Sequence, residues 1–349
     1  MTDAKPKAGE VTYAASGVDI NRQDEALRRI KSHVKATKTP GVLSDLGLFG
    51  GLFAAKFEEA RPILVSSMDG VGTKMKVARL ADKWDTVGQD LVNHCINDIL
   101  VQGARPLFFL DYIASSNLDP EIVATVVGGC ATACRATGCA LLGGETAEMP
   151  GIYAAGEFDL VGTIIGVVDR PAIIDGSTIA PGDAVIGLGS TGLHTNGFSL
   201  ARRVFEGWDL AGDVPLLGRP LGDALLEPHR SYLSCVDKMR GAGVTVKSLA
   251  HITGGGLLDN PPRVLPEGVA MRIRVGTWAM PPLFQLIQQT GNIALSEMAH
   301  VFNLGLGMLA VVPAEESPAA LAAATSAGVP AWTVGEIIPS TDRPHVELQ

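Results

Sequence analysis

The stretch that most limits how this chain can fold is the apolar run Ile63-Leu64-Val65, preceded by Pro62 and followed by Ser66-Ser67-Met68-Asp69-Gly70-Val71-Gly72-Thr73-Lys74. The β-branched run predicts a buried strand. At its end the sequence changes to a carboxylate, two glycines, a hydroxyl and a lysine. Glycines at such a corner let the backbone turn sharply and bring N–H groups close to an anion. Asp69 suits a hard divalent cation, and Thr73 and Lys74 offer a hydroxyl and a point charge to phosphate. An ordinary Asp-Gly turn accounts for the same residues. Neither the Walker A spacing nor the dinucleotide-binding glycine spacing is present.

The pattern recurs along the chain. Residues 1–20 read as mobile, and Asp24 to Thr37 as an amphipathic helix with Leu27, Ile30 and Val34 on one side and Arg28, Lys31 and Lys35 on the other. Gly41 to Phe53 is glycine-rich and apolar and predicts a packed loop. A helix follows over about Thr86 to Gln102. It gathers Asp90, Asn93, His94, Asn97 and Asp98 on one face, with no basic residue between Lys83 and Arg105. Such a face suits a metal or polar ligand, or else an acidic exposed surface. Arg105–Ile113 reads as a strand, Asp119–Thr137 as a helix capped by Asp119-Pro120, and Cys139–Leu142 as a strand ending in Gly143-Gly144-Glu145-Thr146-Ala147-Glu148.

Phe158–Val168 is a further strand, and turn residues over 169–182 place a domain boundary near 170. The second half restarts with strand Ala184–Leu188 and the corner Ser190 to Gly197, which precedes a helix. A helix near Pro228–Gly241 and a strand Val244–Leu249 lead to His251-Ile252-Thr253-Gly254-Gly255-Gly256. Strands and helices alternate to the end. The expected architecture is α/β (α+β layered) in two domains, residues 1–170 and 171–349.

Composition removes several function classes. A net charge of −9 argues against nucleic-acid or anionic-membrane partners, which need a basic face. No apolar run approaches a membrane span, and Met1 to Ala8 lack the apolar core of a secretory signal, so a cytoplasmic protein is expected. Five cysteines form no CxxC pair, and Cys130 and Cys134 read as core. The polar corners together suit phosphoryl transfer from a nucleotide, which needs carboxylates for Mg²⁺ and backbone donors for phosphates. His194 and His251 each also read as capping or core histidines, and His229, His33 and His300 more so.

Taken in order, Val18-Asp19-Ile20, Asp69 to Lys74, Asn97-Asp98, Phe108-Phe109-Leu110-Asp111-Tyr112, Gly143 to Gly151, His194-Thr195-Asn196-Gly197 and His251 to Gly256 resemble the motifs of the phosphoribosylformylglycinamidine cyclo-ligase family. The resemblance runs from about residue 13 to the C-terminus. It implies a homodimer whose N-terminal domains pair through a shared β-barrel. It also implies ATP-dependent closure of formylglycinamidine ribonucleotide to aminoimidazole ribonucleotide, through a phosphorylated amide oxygen.

By position the resemblance makes Asp69, Asp98 and Glu145 metal ligands for Mg²⁺. It places Lys31, Asp69, Gly70, Gly72, Thr73, Lys74, Asn97, Thr195, Asn196 and Gly197 around ATP. His251, Thr253, Gly254, Gly255 and Gly256 fall on the side of the small-molecule ribonucleotide substrate, and His194, Lys31 and Asp98 carry catalysis. Met68 stands where the family often has threonine. Related ATP-using enzymes share the strand-Asp-Gly corner, and a non-catalytic nucleotide-binding protein would use the same pocket. A selenophosphate synthase would carry a reactive cysteine early in the chain, and residues 1–60 contain none.

Overall fold

The computed structural model describes residues 19–47 and 49–349. The start expected to be mobile, including Val18, lies outside the described residues as far as residue 18.

Helix α1 (Ile20–Lys35) starts where the Asp19 side chain accepts from the Asn21 N–H, and it buries Ala26, Ile30 and Val34. The first sheet follows, from β1 (Pro62–Gly70), β2 (Arg105–Ser115), β3 (Ala140–Glu148) and β4 (Phe158–Asp169). Its order is β1-β4-β2-β3, so β1 and β3 are the two edges. Only β2 and β3 run parallel, because α4 (Pro120–Thr137) carries the chain across between them. Asp119 caps α4, and Gly138 ends it in the left-handed conformation. The Gly143–Glu148 corner is not a turn after the strand. It is part of β3 itself, next to a register shift opposite Phe109 and Leu110.

Helix α2 (Lys74–Leu80) follows β1 directly, and α3 (Val87–Leu100) lies across β1, β4 and β2 on the face that α4 also covers. Among the described residues the other face is open over its β1 side: Leu64 and Met68 are 60% and 69% exposed, with Ile165, Thr163, Leu110 and Tyr112 half-buried in register beside them, while Phe53 packs on Phe108.

Close approach of α3 and α4 depends on Gly88 and Gly129, with Gly88 the tighter of the two. A Cβ at Gly88 would lie 2.0 Å from the Val126 carbonyl oxygen and 2.6 Å from the Cys130 nitrogen, both backbone atoms. Gly88→Ala must therefore push the helices apart. We expect it to cost about 1–3 kcal/mol, the usual range for overpacking. Thermal unfolding checks this, and an unchanged midpoint would show that the helices slide freely.

The second sheet has six strands in the order β12-β9-β11-β5-β10-β8. They are β5 (Ala184–Gly189), β8 (Ser248–His251), β9 (Val269–Ile273), β10 (Leu306–Val312), β11 (Ala331–Pro339) and β12 (Val346–Leu348); a short hairpin, β6 (Asp213–Val214) and β7 (Arg219–Pro220), stands apart. Every residue of β5 and β10 is buried, which places them at the centre of the core. Helices α5 (Phe198–Val204), α6 (Leu221–Leu225), α7 (Leu233–Gly241), α8 (Gly256–Asp259), α9 (Pro282–Gly291), α10 (Leu295–Val301) and α11 (Ser317–Ser326) complete this half. The helix expected from Pro228 begins only at Leu233, and residues 228–232 are irregular. The strand expected over Val244–Leu249 is instead Ser248–His251.

Candidate active site

Helix α3 explains both the irregular segment 228–232 and the polar face seen in the sequence. Asn93 Nδ2 donates to the His229 carbonyl (2.7 Å), and Asp90 Oδ1 accepts from the His229 N–H (2.6 Å). Asn97 donates to the Arg230 carbonyl (2.8 Å) and accepts from the Tyr232 N–H (2.9 Å). Three of the five polar residues thus hold the backbone of the second half. The polar ligand of that part of the helix is the chain itself, so Asn97, fully buried, is not an ATP contact.

Lys74 needs a similar correction. Its ammonium is wholly buried, 2.7 Å from Asp90 Oδ2, and it donates to the Glu227 carbonyl at 2.9 Å. The Phe198 ring lies 5.6 Å away. Burial pushes Lys74 down and Asp90 up from their ordinary pKa values, while each opposes the other's shift. Lys74 joins the two halves and does not face a phosphate.

The other two residues of the α3 face, His94 and Asp98, meet the second half at a chain of imidazoles. The Tyr232 N–H fixes the Asn97 amide so that Nδ2 also faces His229 Nε2 at 3.1 Å. His229 Nε2 therefore accepts, and its Nδ1 carries the ring proton toward Thr195 Oγ1 at 3.4 Å. The Thr195 hydroxyl bridges to His94 Nδ1 (2.6 Å), and His94 Nε2 lies 2.8 Å from Asp69 Oδ2 as an ion-pair contact. On the other branch His251 Nδ1 donates to Asp98 Oδ1 (2.8 Å) and its Nε2 lies 3.1 Å from His229 Nε2. Ser67 Oγ donates to Asp98 Oδ2 (3.1 Å).

Burial works against charge on His94, but Asp69 and Asp98 outweigh it and raise its pKa. In His251 burial prevails over Asp98, and the pKa falls. Burial pushes both Asp69 and Asp98 up, yet His94 and His251 respectively outweigh it and hold both carboxyls below their ordinary values.

These groups open onto a cavity of about 440 Å³ between the halves, lined by Ser66, Ser67, Asp69, His94 and Asp98 from one side and His251, Thr253, Asn260 and Arg263 from the other. Asn260 shapes the second wall: Oδ1 accepts from the Thr253 N–H (2.8 Å) and Nδ2 donates to the Gly254 carbonyl (3.1 Å). Of the substrate-side residues expected from sequence, His251 and Thr253 line the cavity, Gly254 and Gly255 follow in the loop, and Gly256 is buried at the start of α8. His229, Asn260 and Arg263 carry no functional reading in the sequence, and His94 is read there only as one of the five residues of the polar α3 face. The signal for His94 was its place one helical turn before Asp98.

The remaining expected residues divide into three groups. Gly70, Gly72 and Thr73 form the corner after Asp69, where Asp69 Oδ1 accepts from the Gly70 N–H (2.7 Å) and Thr73 reaches Ser199 (3.3 Å). Buried Thr195 lies behind His94, Asn196 Nδ2 donates to its hydroxyl (3.3 Å), and Gly197 opens α5 beside Phe302. Lys31 and Glu145 are elsewhere. Lys31 is exposed on α1, which packs on α4 and β3, and Glu145 is exposed on β3. Glu145 is separated from β1 by three strand spacings of ~4.8 Å along the sheet. Among the described residues, the cluster able to hold an ion is His94, Asp98 and His251, not Asp69, Asp98 and Glu145. Glu148 of the same motif is structural: its carboxylate accepts from the Asp19 and Leu118 N–H groups (2.7 and 2.9 Å).

His194 is also corrected. It is 1% exposed, adopts φ +62°, and stacks on His229 at 3.9 Å between centroids. Its Nε2 accepts from the Thr191 N–H (3.3 Å), and burial holds its pKa well below the usual value, so the ring is neutral. Gly307 makes room for it: a Cβ there would lie 2.4 Å from His194 Cε1 and 2.1 Å from the Tyr232 hydroxyl. The ring therefore supports His229 from behind and does not reach the cavity. His194→Asn, which tolerates a positive φ, is expected to cost roughly 1–3 kcal/mol of stability and to leave the ATP Michaelis constant unchanged. Thermal unfolding and kinetics on one preparation check this. A hundredfold loss of turnover with an unaltered midpoint would return the ring to catalysis.

Two family models match the chain: the AIR synthase related protein N-terminal domain over residues 55–168 and the corresponding C-terminal domain over residues 180–346. A phosphoribosylformylglycinamidine cyclo-ligase from Methylobacillus flagellatus is 50% identical over 329 residues, 94% of each chain. One from Sorangium cellulosum is 49% identical, covering 97% of this chain and 98% of its own. Among solved structures, thiamine-monophosphate kinase from Stenotrophomonas maltophilia aligns with a TM-score of 0.66 at 18% identity, over 93% of this chain and 96% of that one. The hydrogenase maturation protein HypE in complex with ATP aligns with a TM-score of 0.65 at 19% identity, over 92% and 90%. At these identities the structures speak to the fold alone.

Proposed function

The chain belongs to the phosphoribosylformylglycinamidine cyclo-ligase family, ATP-dependent ligases that close a ring in purine biosynthesis, and from that premise we propose that the cavity between its two halves is where closure occurs. The observation that carries this reading is the convergence of Asp69 and Asp98 from the first half with His251 and Thr253 from the second around one opening. Nucleotide-bound Mg²⁺ commonly takes one or two carboxylates alongside phosphate oxygens, and Asp69 and Asp98 fit that requirement. ATP, when bound, supplies the phosphoryl group that makes the amide oxygen a leaving group.

The chain's own residues then have separate tasks. Asp69 and Asp98 would hold the cation, each kept ionised by its histidine. Arg263, exposed at the cavity wall, offers a guanidinium to an anionic substrate group. The backbone grip of α3 on residues 229–232 keeps the two walls in register.

Lys31 and Glu145 enter this reading through a second copy of the chain. Both belong to the β3 edge, Asp69 and Asp98 belong to the β1 side, and the apolar face of the sheet lies open over that side. Pairing two such faces into a shared barrel would cover Leu64 and Met68 and bring the β3 edge of one copy toward the β1 edge of the other. The domain limits 1–170 and 171–349 and a cytoplasmic location belong to the same reading; no helix among the described residues is long and apolar enough to cross a membrane.

The test is phosphate release from ATP with and without formylglycinamidine ribonucleotide. We expect release only when the ribonucleotide is present, and equal release without it would overturn the assignment. Mixing Asp98→Asn and Glu145→Gln chains, each inactive alone, should restore turnover if the site is shared. Failure to restore it would confine the site to one chain.

A further inference from the structure

A second cleft lies where α2 meets α5, and it shares no residue with the cavity of Asp69 and His251. It has a volume of about 540 Å³ and spans the two halves of the chain, with Val77 and Leu80 of α2 on one wall and Ser199, Arg202 and Arg203 of α5 on the other. Helical spacing explains the second wall. Positions 199, 202 and 203 share one face of α5, while Phe198 and Ala201 are buried on the other. Beyond the helix, Phe205 and Trp208 complete the lining. The Trp208 backbone N–H donates to the Phe205 carbonyl (3.0 Å), and the two rings meet edge to face at 5.2 Å between centroids. The indole is thus held in place although 41% exposed, and Leu80 is 74% exposed.

We propose that this cleft binds a nucleoside monophosphate, with the base against Trp208 and Leu80 and the phosphate on Arg202. Arg202 is half-buried and forms no ion pair among the described residues, whereas Arg203 beside it pairs with Glu206 at 2.8 Å. A guanidinium left free in this way offers its planar fork to a phosphate. In a chain of net charge −9, an uncompensated cation beside an exposed indole gives an anionic ring compound a local destination. Trp208 and Leu80 supply flat apolar surface for a heterocycle, and Ser199 offers a hydroxyl to the sugar. The volume lies within the usual range for small ligands and accommodates one base, one sugar and one phosphate. A triphosphate fits less well, because Arg203 is already paired and the Glu206 carboxylate, which also lines the cleft, repels further phosphates. A ligand held here touches both halves. It also adjoins the corner after Asp69, since Thr73 Oγ1 lies 3.3 Å from Ser199 Oγ and α2 begins at Lys74. The inference does not depend on the ring-closure reading, because it uses none of that cavity's residues.

The competing account is a water-filled crevice between two halves, and a titration separates the two. The full chain is titrated with AMP, without Mg²⁺ or ATP, while tryptophan fluorescence and the thermal midpoint are recorded. Trp84 and Trp278 are 8% and 5% exposed and Trp332 is half-buried, so the signal comes mainly from Trp208. The expected result is saturable quenching below about 1 mM AMP and a raised midpoint. Adenosine and ribose 5-phosphate, each lacking one of the two contacts, should bind at least roughly tenfold more weakly. Arg202→Gln, at a partly exposed position where misfolding is least expected, should weaken AMP by at least roughly tenfold and leave turnover and the ATP Michaelis constant unchanged. Trp208→Leu should abolish the fluorescence change and reduce the AMP-dependent rise in midpoint. No saturable response up to about 10 mM AMP would overturn the inference. Unchanged AMP affinity in Arg202→Gln would also overturn it, as would AMP displaced by Mg²⁺–ATP, which would place it in the catalytic cavity. Turnover without AMP is measured in parallel, so a failed cleft and a failed ring-closure reading give different results.

Discussion

Asp90→Asn is expected to destabilise the protein by about 3–5 kcal/mol, the cost of leaving a buried charge without its partner. The substitution is nearly isosteric, and the new amide oxygen can still accept from the His229 N–H, now 2.6 Å from Asp90 Oδ1. What it removes is the negative charge 2.7 Å from the wholly buried Lys74 ammonium. The Glu227 carbonyl and the Phe198 ring remain, and neither neutralises a cation in that setting. Lys74→Met should cost a similar amount, because wholly buried Asp90 then loses its counter-charge and keeps a single backbone donor.

The double variant Lys74→Met/Asp90→Asn is the informative one. It removes both charges and keeps an acceptor for His229, so it should be considerably more stable than either single variant. Thermal unfolding of all four proteins tests this, and purely additive losses would contradict the account. The same double variant decides the role of Lys74. If the folded protein showed an ATP Michaelis constant raised many-fold, the lysine would belong to the phosphate site after all.

Lys74 also shows how far residue types and spacing can lead. A lysine after Asp-Gly-Val-Gly-Thr has the chemistry of a phosphate ligand, and nothing in the spacing reveals that Asp90 sits beside it. Periodicity placed Asp90, Asn93, His94, Asn97 and Asp98 on one helix face, and they are on one face. Yet three of them bind the backbone of residues 229–232 and only two reach the cavity, a split that depends on contacts 130 or more residues away in sequence. Elements fixed by local chemistry are legible, such as the Asp119-Pro120 cap and the long strand β4, whereas the run Ile63–Val65 expected as a buried strand belongs to a half-exposed edge strand that continues through Asp69 and Gly70. His229 reads in sequence as a capping or core histidine. Its importance comes from stacking on His194 and from the tautomer that Asn97 imposes, and neither leaves a mark on its sequence neighbours. Glu145 and Lys31 were placed with Asp69 by family position, whereas the strand order puts them at the opposite edge of the sheet.

Asp98→Asn is expected to lower turnover by roughly a hundredfold or more, the upper end of what losing one supporting partner costs a metal-dependent site. Asp98 both anchors His251 and faces the cation position. Its Oδ1 takes the proton-bearing Nδ1 of His251 at 2.8 Å, its Oδ2 accepts from Ser67 at 3.1 Å, and with 23% of the side chain exposed it still faces the cavity. Asparagine keeps the shape and supplies one acceptor. If that oxygen stays on His251, the new amide hydrogens point at Ser67 and at the cation position; if it turns, His251 faces a donor. Either way the negative charge is gone, and a Mg²⁺–nucleotide has Asp69 alone to bind. The loss should therefore appear in turnover and in the Mg²⁺ concentration needed for half-maximal rate, with the Michaelis constant for the ribonucleotide moving less. Folding should be little affected, because Asp98 is partly solvated and pairs with no buried cation comparable to Lys74. Asp98 is held ionised well below neutrality, so the wild-type rate should not fall between pH 7 and 6 through protonation of this carboxyl. Turnover measured across a magnesium titration, alongside the thermal midpoint, decides the matter. An unchanged rate at every magnesium concentration would remove Asp98 from the chemistry and leave it as the anchor of His251.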